Sequence, residues 1–230
     1  MNRRRTAERV VYGIGGAGAL LSLAIATAEG FLRGGYDLIA EPISALALGP
    51  RGWIQQLNFA LFAVSLFAFA AVLRAQFRQG AASIAGPCVF VLMATGILMA
   101  GAFTMDAPGE SPTIVGRLHT VAGYLVFPWI PVILFIVARR FRRDDRWRSY
   151  RAYTLASGIF CLAAMVFFLL FVGTPDQPPR LASEIRGLVQ RLILLPFSIW
   201  IALVARRAYR GHKEASAPAR AGDAERALSM

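Results

Sequence analysis

Hydrophobic residues along this chain fall into six long blocks, separated by shorter connections in which polar residues collect. The blocks cover residues 11–28, 57–73, 81–103, 118–137, 153–172 and 188–205. Each is about as long as the roughly 17–25 residues that an α-helix needs to cross the hydrocarbon core of a bilayer. The pattern predicts an all-α integral membrane protein, a polytopic bundle of six transmembrane helices over residues 11–207. Pro128 and Pro131 predict a kink in the fourth helix, because proline removes a backbone hydrogen bond.

Composition agrees with this class of fold. Of the 230 residues, 57% are hydrophobic, whereas a soluble domain has roughly 45–50% apolar residues. The mean hydropathy is +0.53. Residues 1–10 are basic, and residues 208–230 are small, polar and mixed in charge. We expect the first segment to be a short basic N-terminus and the second to be a disordered tail.

The charged residues indicate how the bundle is oriented. The net charge is +12, and the arginines concentrate at the N-terminus, in the second and fourth connections and in the tail. The other three connections hold most of the acidic residues. The positive-inside rule places both termini in the cytoplasm and the protein in the cell membrane. Membrane lipids are the expected partners of the arginines, and a nucleic-acid interface is not expected.

The first block also admits a second interpretation, as a secretory signal peptide. Its basic start, its apolar run and the segment Ala26-Thr27-Ala28 match the three regions of such a peptide. The run is longer than the roughly 7–15 residues of the usual apolar region. We therefore expect the first block to remain in the protein as a transmembrane helix.

The sequence predicts no cofactor. Residues 13–18, GIGGAG, have the letters of a dinucleotide-binding fingerprint, but that motif lies between a strand and a helix. Here we expect the glycines to let neighbouring helices approach closely. A bis-histidine haem site needs two imidazoles and a structural zinc site needs several Cys and His ligands, whereas the blocks contain only His119, Cys88 and Cys161. We therefore expect no metal, with a carboxylate site of Asp37, Asp106 and Glu184 as the alternative.

The third connection places an acid and an imidazole near one membrane surface. Asp106 follows the third block, and His119, the only histidine outside the C-terminal tail, begins the fourth. An aspartate that accepts a hydrogen bond from one imidazole nitrogen leaves the other nitrogen to act as a base. We predict that Asp106 orients His119. The simpler alternative is an interfacial histidine that is hydrogen-bonded at a helix start.

The first connection, residues 29–53, contains further candidates. Asp37 is a second acid that could orient His119, and Ser44 is a candidate nucleophile. The alternative for both is a local Asx or Ser turn. The apolar run 43–48 is expected to lie on the membrane or dip into the bundle, and Trp53 to anchor the connection at headgroup depth.

Arg191 lies within the otherwise apolar sixth block, where a charged residue costs about 2.5–3.5 kcal/mol at the bilayer centre. A partner is therefore expected, and Glu184, Asp37 or Asp106 can supply a carboxylate. Glu184 and Arg191 recur at helical spacing and share one face. In this interpretation Arg191 binds anionic groups, with Gln190 beside it. The alternative is that Arg191 extends to the outer headgroups.

Three segments of the chain together resemble a known family. They are Tyr36-Asp37 with Pro42-Ile43-Ser44-Ala45-Leu46 and Gly49-Pro50-Arg51-Gly52-Trp53, then Asp106 with Gly116-Arg117-Leu118-His119, and finally Gly187-Leu188-Val189-Gln190-Arg191. In this order they are similar to the bacterial membrane-protein family called domain of unknown function 998, over about residues 10–207. The resemblance implies a six-helix integral membrane protein without a settled activity. It also supports seven candidate positions, namely Asp37, Ser44, Trp53, Asp106, His119, Gln190 and Arg191.

The candidates predict a polar pocket at the extracytoplasmic ends of helices one, three, four and six. We expect its occupant to be a lipid headgroup or a small amphiphile. The leading interpretation is a non-catalytic sensor or assembly protein. The alternative is a membrane-embedded hydrolase or transferase that acts on lipid, with His119 as general base. A small-molecule transporter is less favoured, because transport sites usually lie near the bilayer midplane.

Overall fold

The computed structural model describes residues 2–80, 83–174 and 180–215, and the chain in these ranges is helical without strands. The helices in chain order are α1 Asn2–Leu32, α2 Gly52–Gln76, α3 Ala85–Ala102, α4 Ile114–Tyr124, α5 Trp129–Phe141, α6 Arg148–Phe167 and α7 Arg186–Ala215. Three shorter elements are the 3-10 helix Ile43–Ala47, a π-helical turn Phe168–Val172 after α6, and a 3-10 turn Ser183–Ile185 before α7.

Six segments of the described chain are long and apolar enough to cross a membrane. Helices α1, α2 and α3 each form one span, α4 and α5 together form the fourth, and α6 and α7 form the last two. Each predicted block lies on one of these spans, although residues 81 and 82 fall outside the described part. The chain is therefore an all-α polytopic membrane protein with six transmembrane helices, as the hydrophobic pattern predicts.

The first and last helices extend beyond the apolar blocks. Helix α1 begins at Asn2 and so includes most of the basic segment 1–10. Helix α7 continues to Ala215, past residue 207, where we expected the tail to begin. Residues 216–230, the rest of the expected disordered tail, lie outside the described residues.

The fourth span is broken between α4 and α5, as Pro128 and Pro131 predict. In the turn between them, the N–H of Val126 bonds to the carbonyl of Gly123 at 3.1 Å, and the N–H of Trp129 bonds to that of Val126 at 3.2 Å. These three-residue steps replace the four-residue steps of an α-helix. The two halves of the span differ in their main neighbours, because α4 packs on α3 whereas α5 packs chiefly on α6 and less extensively on α3.

Contacts between the connections define two ends of the bundle. At one end, the N–H of Leu188 bonds to the carbonyl of Ile39 at 2.9 Å. We call this end the distal face, and it carries the connections 33–51 and 103–113 together with residues 173–174 and 180–182 of the fifth connection. At the opposite end, Gln76 donates to the hydroxyl of Tyr12 at 3.1 Å. This proximal face carries both ends of the described chain.

Aromatic side chains fill the centre of the bundle. Phe69 meets Trp200 edge-on with ring centroids 5.6 Å apart, and Phe90 stacks on Phe197 at 5.9 Å. These four side chains are fully buried. By contrast, α6 presents Ile159, Leu162 and other large apolar side chains outward, which suits a surface that faces lipid rather than water.

The glycine-rich run 13–18 serves helix packing, as predicted. A Cβ atom at Gly15 would lie 3.0 Å from the backbone nitrogen of Phe69, and one at Gly18 would lie 2.6 Å from the Cβ of Ser65. The absence of these side chains lets α1 approach α2 closely, as small residues do in membrane bundles.

Candidate functional site

The first connection folds into a compact plug over the distal end of the bundle. Its 3-10 helix, Ile43–Ala47, has all five residues buried. The guanidinium of Arg33 donates to the carbonyls of Ala45 at 3.4 Å and Leu46 at 2.8 Å, and also to that of Leu48. The Ala45 carbonyl also accepts from the N–H of Leu48 at 3.1 Å, so Arg33 serves chiefly the Leu46 and Leu48 carbonyls at the end of the helix. The apolar run 43–48 thus dips into the bundle, which is one of its two expected positions.

Arg191 and Gln190, at the start of α7, hold this plug through its backbone. Arg191 donates from Nη1 to the carbonyls of Leu38 at 2.9 Å and Glu41 at 3.3 Å, and from Nη2 to the hydroxyl of Tyr36 at 2.9 Å. Burial raises the pKa of the Tyr36 phenol, which keeps it neutral beside the arginine. The Gln190 Oε1 atom accepts from the N–H of Ile43 at 2.6 Å. We call these contacts the α7 clamp.

The prediction that a carboxylate pairs with Arg191 is therefore wrong. Among the described residues, its guanidinium bonds to backbone carbonyls and to the Tyr36 hydroxyl rather than to Glu184, Asp37 or Asp106. These acceptors pair both Nη atoms without a second buried charge, whereas the buried Nε atom has no hydrogen-bond partner among the described residues. Arg191 also lies outside the lining of the distal cavities described below.

Asp37, Glu184 and Trp53 also lie away from those cavities. Asp37 is exposed, and its Oδ1 accepts from the N–H groups of Ile39 at 2.8 Å and Ala40 at 3.2 Å. This is the local Asx turn given above as its alternative. Glu184 is exposed in the short turn before α7, and Trp53 is 59% exposed at the start of α2, where an aromatic anchor is expected.

An ion pair between the buried Glu29 and the half-exposed Arg51 joins the end of α1 to the start of α2. Glu29 is only 5% exposed, and it accepts from Arg51 Nε at 2.8 Å and Nη2 at 2.7 Å. Hydrogen bonding to this carboxylate raises the pKa of the Arg51 guanidinium. Sequence reasoning counted both residues only as loop charges. The signal that could have found the pair is the glutamate directly after an apolar block.

We expect Glu29→Gln to lower the melting temperature of the detergent-purified protein, because it leaves Arg51 facing a neutral group. Glu184→Gln, which changes an exposed carboxyl, is the matched control and should have no effect. Adding Arg51→Gln to Glu29→Gln should cost little more than Glu29→Gln alone, as expected for coupled residues. Equal melting temperatures for Glu29→Gln and its control Glu184→Gln would contradict this role of the ion pair.

Asp106 fixes the start of α4. Its carboxylate accepts from the N–H of Thr113 at 2.9 Å and from the Thr113 hydroxyl at 2.6 Å. The same hydroxyl oxygen accepts from the N–H of Gly116 at 3.0 Å, which makes Thr113 the N-cap of α4. A Cβ at Gly116 would collide with the Asp106 carboxylate, so glycine is needed there.

The Asp106 cap makes a pH-dependent contribution to stability. Hydrogen bonds from the Thr113 hydroxyl and N–H hold the pKa of Asp106 below its ordinary 3.8. A carboxyl with a lowered pKa stabilises the folded state above its unfolded pKa, and that stabilisation is lost as the pH falls through the folded pKa. We expect wild type to melt above Asp106→Asn at pH values above 3.8, with the difference shrinking at lower pH. A difference that is constant across the acid range would exclude the carboxylate charge as its cause.

His119, six residues after the N-cap Thr113, is oriented by the C-terminal end of α3. Its Nδ1 atom lies 2.7 Å from the carbonyl oxygen of Phe103, the C-cap residue of α3. A carbonyl can only accept, so Nδ1 carries the proton and, in the neutral ring, Nε2 is left as the acceptor. We predicted a hydrogen bond between Asp106 and His119, and the structure instead shows the Phe103 carbonyl as the partner of His119. The carbonyl at a helix C-terminus lacks an intrahelical partner, and Asp106 is already occupied by Thr113.

A cavity of about 470 Å³ lies beside His119 on the distal side. Since α4 packs on α3 while α5 packs on α6, the break in the fourth span leaves a space between α4, the end of α6 and the start of α7. We call this space the outer cavity. Its polar lining includes Ser44, Asp106, Glu110, Arg117, His119, Arg180, Arg186 and Gln190, and its apolar lining includes Phe127, Met165, Phe168 and Leu169.

A smaller cavity of about 70 Å³ continues into the bundle. It is lined by side chains of α1, α2, α3, α4 and α7, including the polar residues Ser22, Gln55 and Ser198. We call it the inner cavity. Ser44, His119 and Gln190 line both cavities. Three candidates that are far apart in sequence therefore meet at the boundary between the two spaces. The site was expected at the first, third, fourth and sixth spans, and the structure adds α2 and α6, which are the second and fifth spans.

No metal centre is formed in the part of the chain that the structure describes. No three His, Cys, Asp or Glu side chains in these ranges are placed to hold an ion together. The arrangement at the cavity boundary instead offers a hydroxyl, an imidazole and an amide, which are groups suited to hydrogen bonding of a ligand.

These features define a polytopic membrane protein of six spans, with a polar cavity at the distal end of the bundle. The chain belongs to the family described as protein of unknown function (DUF998), whose sequence profile matches residues 16–207. The match confirms the resemblance found in the sequence. Neither a curated protein nor a solved structure matches the chain.

Proposed function

We propose that the protein is a non-catalytic membrane sensor or assembly component that binds a lipid headgroup or a small amphiphile in the outer cavity. The observation that carries the proposal is the cavity itself. Its volume of about 470 Å³ falls in the range of roughly 300–1,000 Å³ that is usual for small-molecule sites. Its polar boundary residues and its apolar wall match the two halves of an amphiphile.

The distribution of arginines supports an extracytoplasmic position for this cavity. The connection between α5 and α6, on the proximal face, carries exposed arginines that include Arg142, Arg143 and Arg146. The positive-inside rule assigns such a face to the cytoplasm, where anionic headgroups can bind the arginines. The distal face and its cavity then lie at the outer leaflet of the cell membrane.

The apolar wall supports access from the lipid phase. Tyr124 on α4 and Leu169 after α6 both line the outer cavity, and they are 53% and 51% exposed on the surface of the bundle. A lipid chain lying between α4 and α6 would contact this wall while its headgroup reaches His119. The cap at Asp106 and the α7 clamp keep the polar end of the site rigid, which favours binding of one headgroup.

The test replaces Gly123, whose lack of a side chain leaves space in both cavities. Gly123 lines both of them, and a Cβ atom there would meet nothing within 4 Å. We expect wild type to retain a bound lipid or amphiphile in native mass spectra, and Gly123→Leu to lose it by filling the space. Gly13→Leu is the matched control, because Gly13 also has nothing within 4 Å but lies on α1 away from the cavities. Retention of the same molecule by Gly123→Leu would contradict the proposal.

A lipid hydrolase or transferase is the second candidate, favoured by the state of His119. Because Nδ1 is held by Phe103, the Nε2 atom is the basic one, and Ser44 lines the same two cavities. The Ser44 hydroxyl, however, contacts Met105 Sδ at 3.3 Å, which favours binding over nucleophilic attack. We expect His119→Ala to leave the membrane lipid profile unchanged. Accumulation of one lipid class in that variant would favour the enzyme.

A further inference from the structure

We infer that the headgroup of the bound amphiphile is uncharged and enters the inner cavity past Ser44, His119 and Gln190. The ligand class is then a neutral amphiphile with carbonyl and hydroxyl or amide groups, rather than an anionic lipid. This inference rests on the proposed function and names the ligand for the same site.

The two cavities differ in charge. The lining of the outer cavity contains Arg117, Arg180 and Arg186 together with Asp106 and Glu110. The lining of the inner cavity contains no Arg, Lys, Asp or Glu side chain. A charged headgroup moved into such a space would lose its hydration without gaining a countercharge. An uncharged polar group would exchange water for hydrogen bonds to the lining.

Arg180 and Arg186 already have a structural task at the outer rim. Arg180 donates to the carbonyl of Leu169, and Arg186 Nε donates to the carbonyl of Gly173 at 2.9 Å. The first bond fastens the fifth connection to the end of α6, and the second joins that connection to the start of α7. Arg180 and Arg186 therefore do not by themselves indicate an anionic ligand, and the third arginine, Arg117, lines the outer cavity only.

The hydrogen-bonding groups around the inner cavity specify the complementary ligand. Gln55 accepts from Asn58 Nδ2 through Oε1 at 3.1 Å, and Gln190 accepts from Ile43 N–H through Oε1 at 2.6 Å. Each amide thus has its Nε2 group left as a donor toward a ligand. His119 has its Nδ1 occupied and offers Nε2 as an acceptor. A group with two acceptor oxygens and one O–H or N–H donor satisfies this pattern.

Asn58 lies outside this lining and supports it from α2. It donates to the carbonyl of Ser22 at 3.0 Å as well as to Gln55. The second bond holds the Gln55 amide with its oxygen toward Asn58.

The experiment compares two probes that share one acyl chain. Monooleoylglycerol is neutral and carries an ester carbonyl and hydroxyls, whereas oleate is an anion. Binding to the full-length protein in nanodiscs is measured by native mass spectrometry. We expect wild type to bind monooleoylglycerol about tenfold more tightly than oleate, the effect of roughly one hydrogen bond.

Two variants of the inner lining locate the neutral headgroup. Gln55→Met is expected to weaken binding of monooleoylglycerol about tenfold and to leave oleate binding unchanged. Gln56→Met is the matched control, because Gln56 is the exposed neighbour on α2, and it should change neither. Ser198→Val, which alters the inner lining from α7, should repeat the effect of Gln55→Met if the latter variant does not fold.

The outcomes separate this inference from the proposed function. Equal or tighter binding of oleate, or unchanged binding of monooleoylglycerol in both inner variants, would overturn the neutral headgroup and leave the cavity as an amphiphile site. Failure of wild type to bind either probe would overturn the proposed function and the inference with it.

Discussion

Replacement of Arg191 by methionine is expected to lower the melting temperature of the detergent-purified protein by roughly 6–12 °C. The substitution removes the bonds from the guanidinium to the carbonyls of Leu38 and Glu41 and to the Tyr36 hydroxyl. Hydrogen bonds to charged groups contribute about 1.5–3 kcal/mol each, and methionine restores part of the packing. A net loss of about 3 kcal/mol corresponds to that shift, at about 2–4 °C per kcal/mol for a chain of this size.

The controls for this prediction distinguish the clamp from a general effect of charge. Arg206→Met changes an exposed arginine on the same helix at the proximal end and should leave the melting temperature unchanged. Arg191→Lys keeps the charge but loses the planar fork of donors, and it should fall between wild type and Arg191→Met. The contrary result, in which Arg191→Met melts like Arg206→Met, would show that the plug is held by other contacts.

The six spans could be predicted because the length of each apolar run can be read directly along the sequence. A helix that crosses a bilayer needs an apolar run of fixed length whichever face it turns toward lipid. The break at Pro128 could also be predicted, since proline lacks the N–H that α-helical pairing needs. The packing of α4 on α3 and of α5 on α6, which opens the outer cavity, depends on tertiary contacts that no local pattern specifies.

Four of the eight candidate residues, Ser44, Asp106, His119 and Gln190, line the cavities, and the other four do not. Ser44, His119 and Gln190 meet at the boundary of the two spaces. Their partners, in contrast, are backbone atoms of Phe103 and Ile43, together with the thioether of Met105 for Ser44. Every residue carries a carbonyl, so the letters of a sequence cannot show which one will face an imidazole or a guanidinium. This is why carboxylates were expected wherever a basic group needed an acceptor.

The inner cavity was missed for a different reason. Gln55 precedes the second apolar block, 57–73, and Asn58 lies only at its start, so neither stood out as an interior residue. Helix α2 in fact begins at Gly52, and both side chains are buried, at 1% and 4% exposure. The usable signal is their spacing of three residues, which places two amides on one helix face.

Gly187→Ala is the substitution that tests the plug from the opposite side, by adding an atom instead of removing bonds. A Cβ at Gly187 would collide with the carbonyl oxygens of Glu41 and Leu38. These two oxygens are the acceptors of Arg191. Because backbone cannot move aside as a flexible side chain can, the first connection must shift as a whole. We expect a loss of roughly 3 kcal/mol, at the upper end of overpacking effects.

Gly13→Ala is the control for this change, since it adds the same atom to a helix where nothing lies within 4 Å. It should be neutral or stabilising by about 0.5–1 kcal/mol, the usual preference for alanine in a helix. The opposite signs of the two substitutions isolate the contact with the plug from helix propensity. If Gly187→Ala breaks the same contacts as Arg191→Met, the two losses will overlap. The double variant will then melt at a clearly higher temperature than the sum of the two separate losses predicts. Additive losses would mean that Gly187 and Arg191 support the distal face independently.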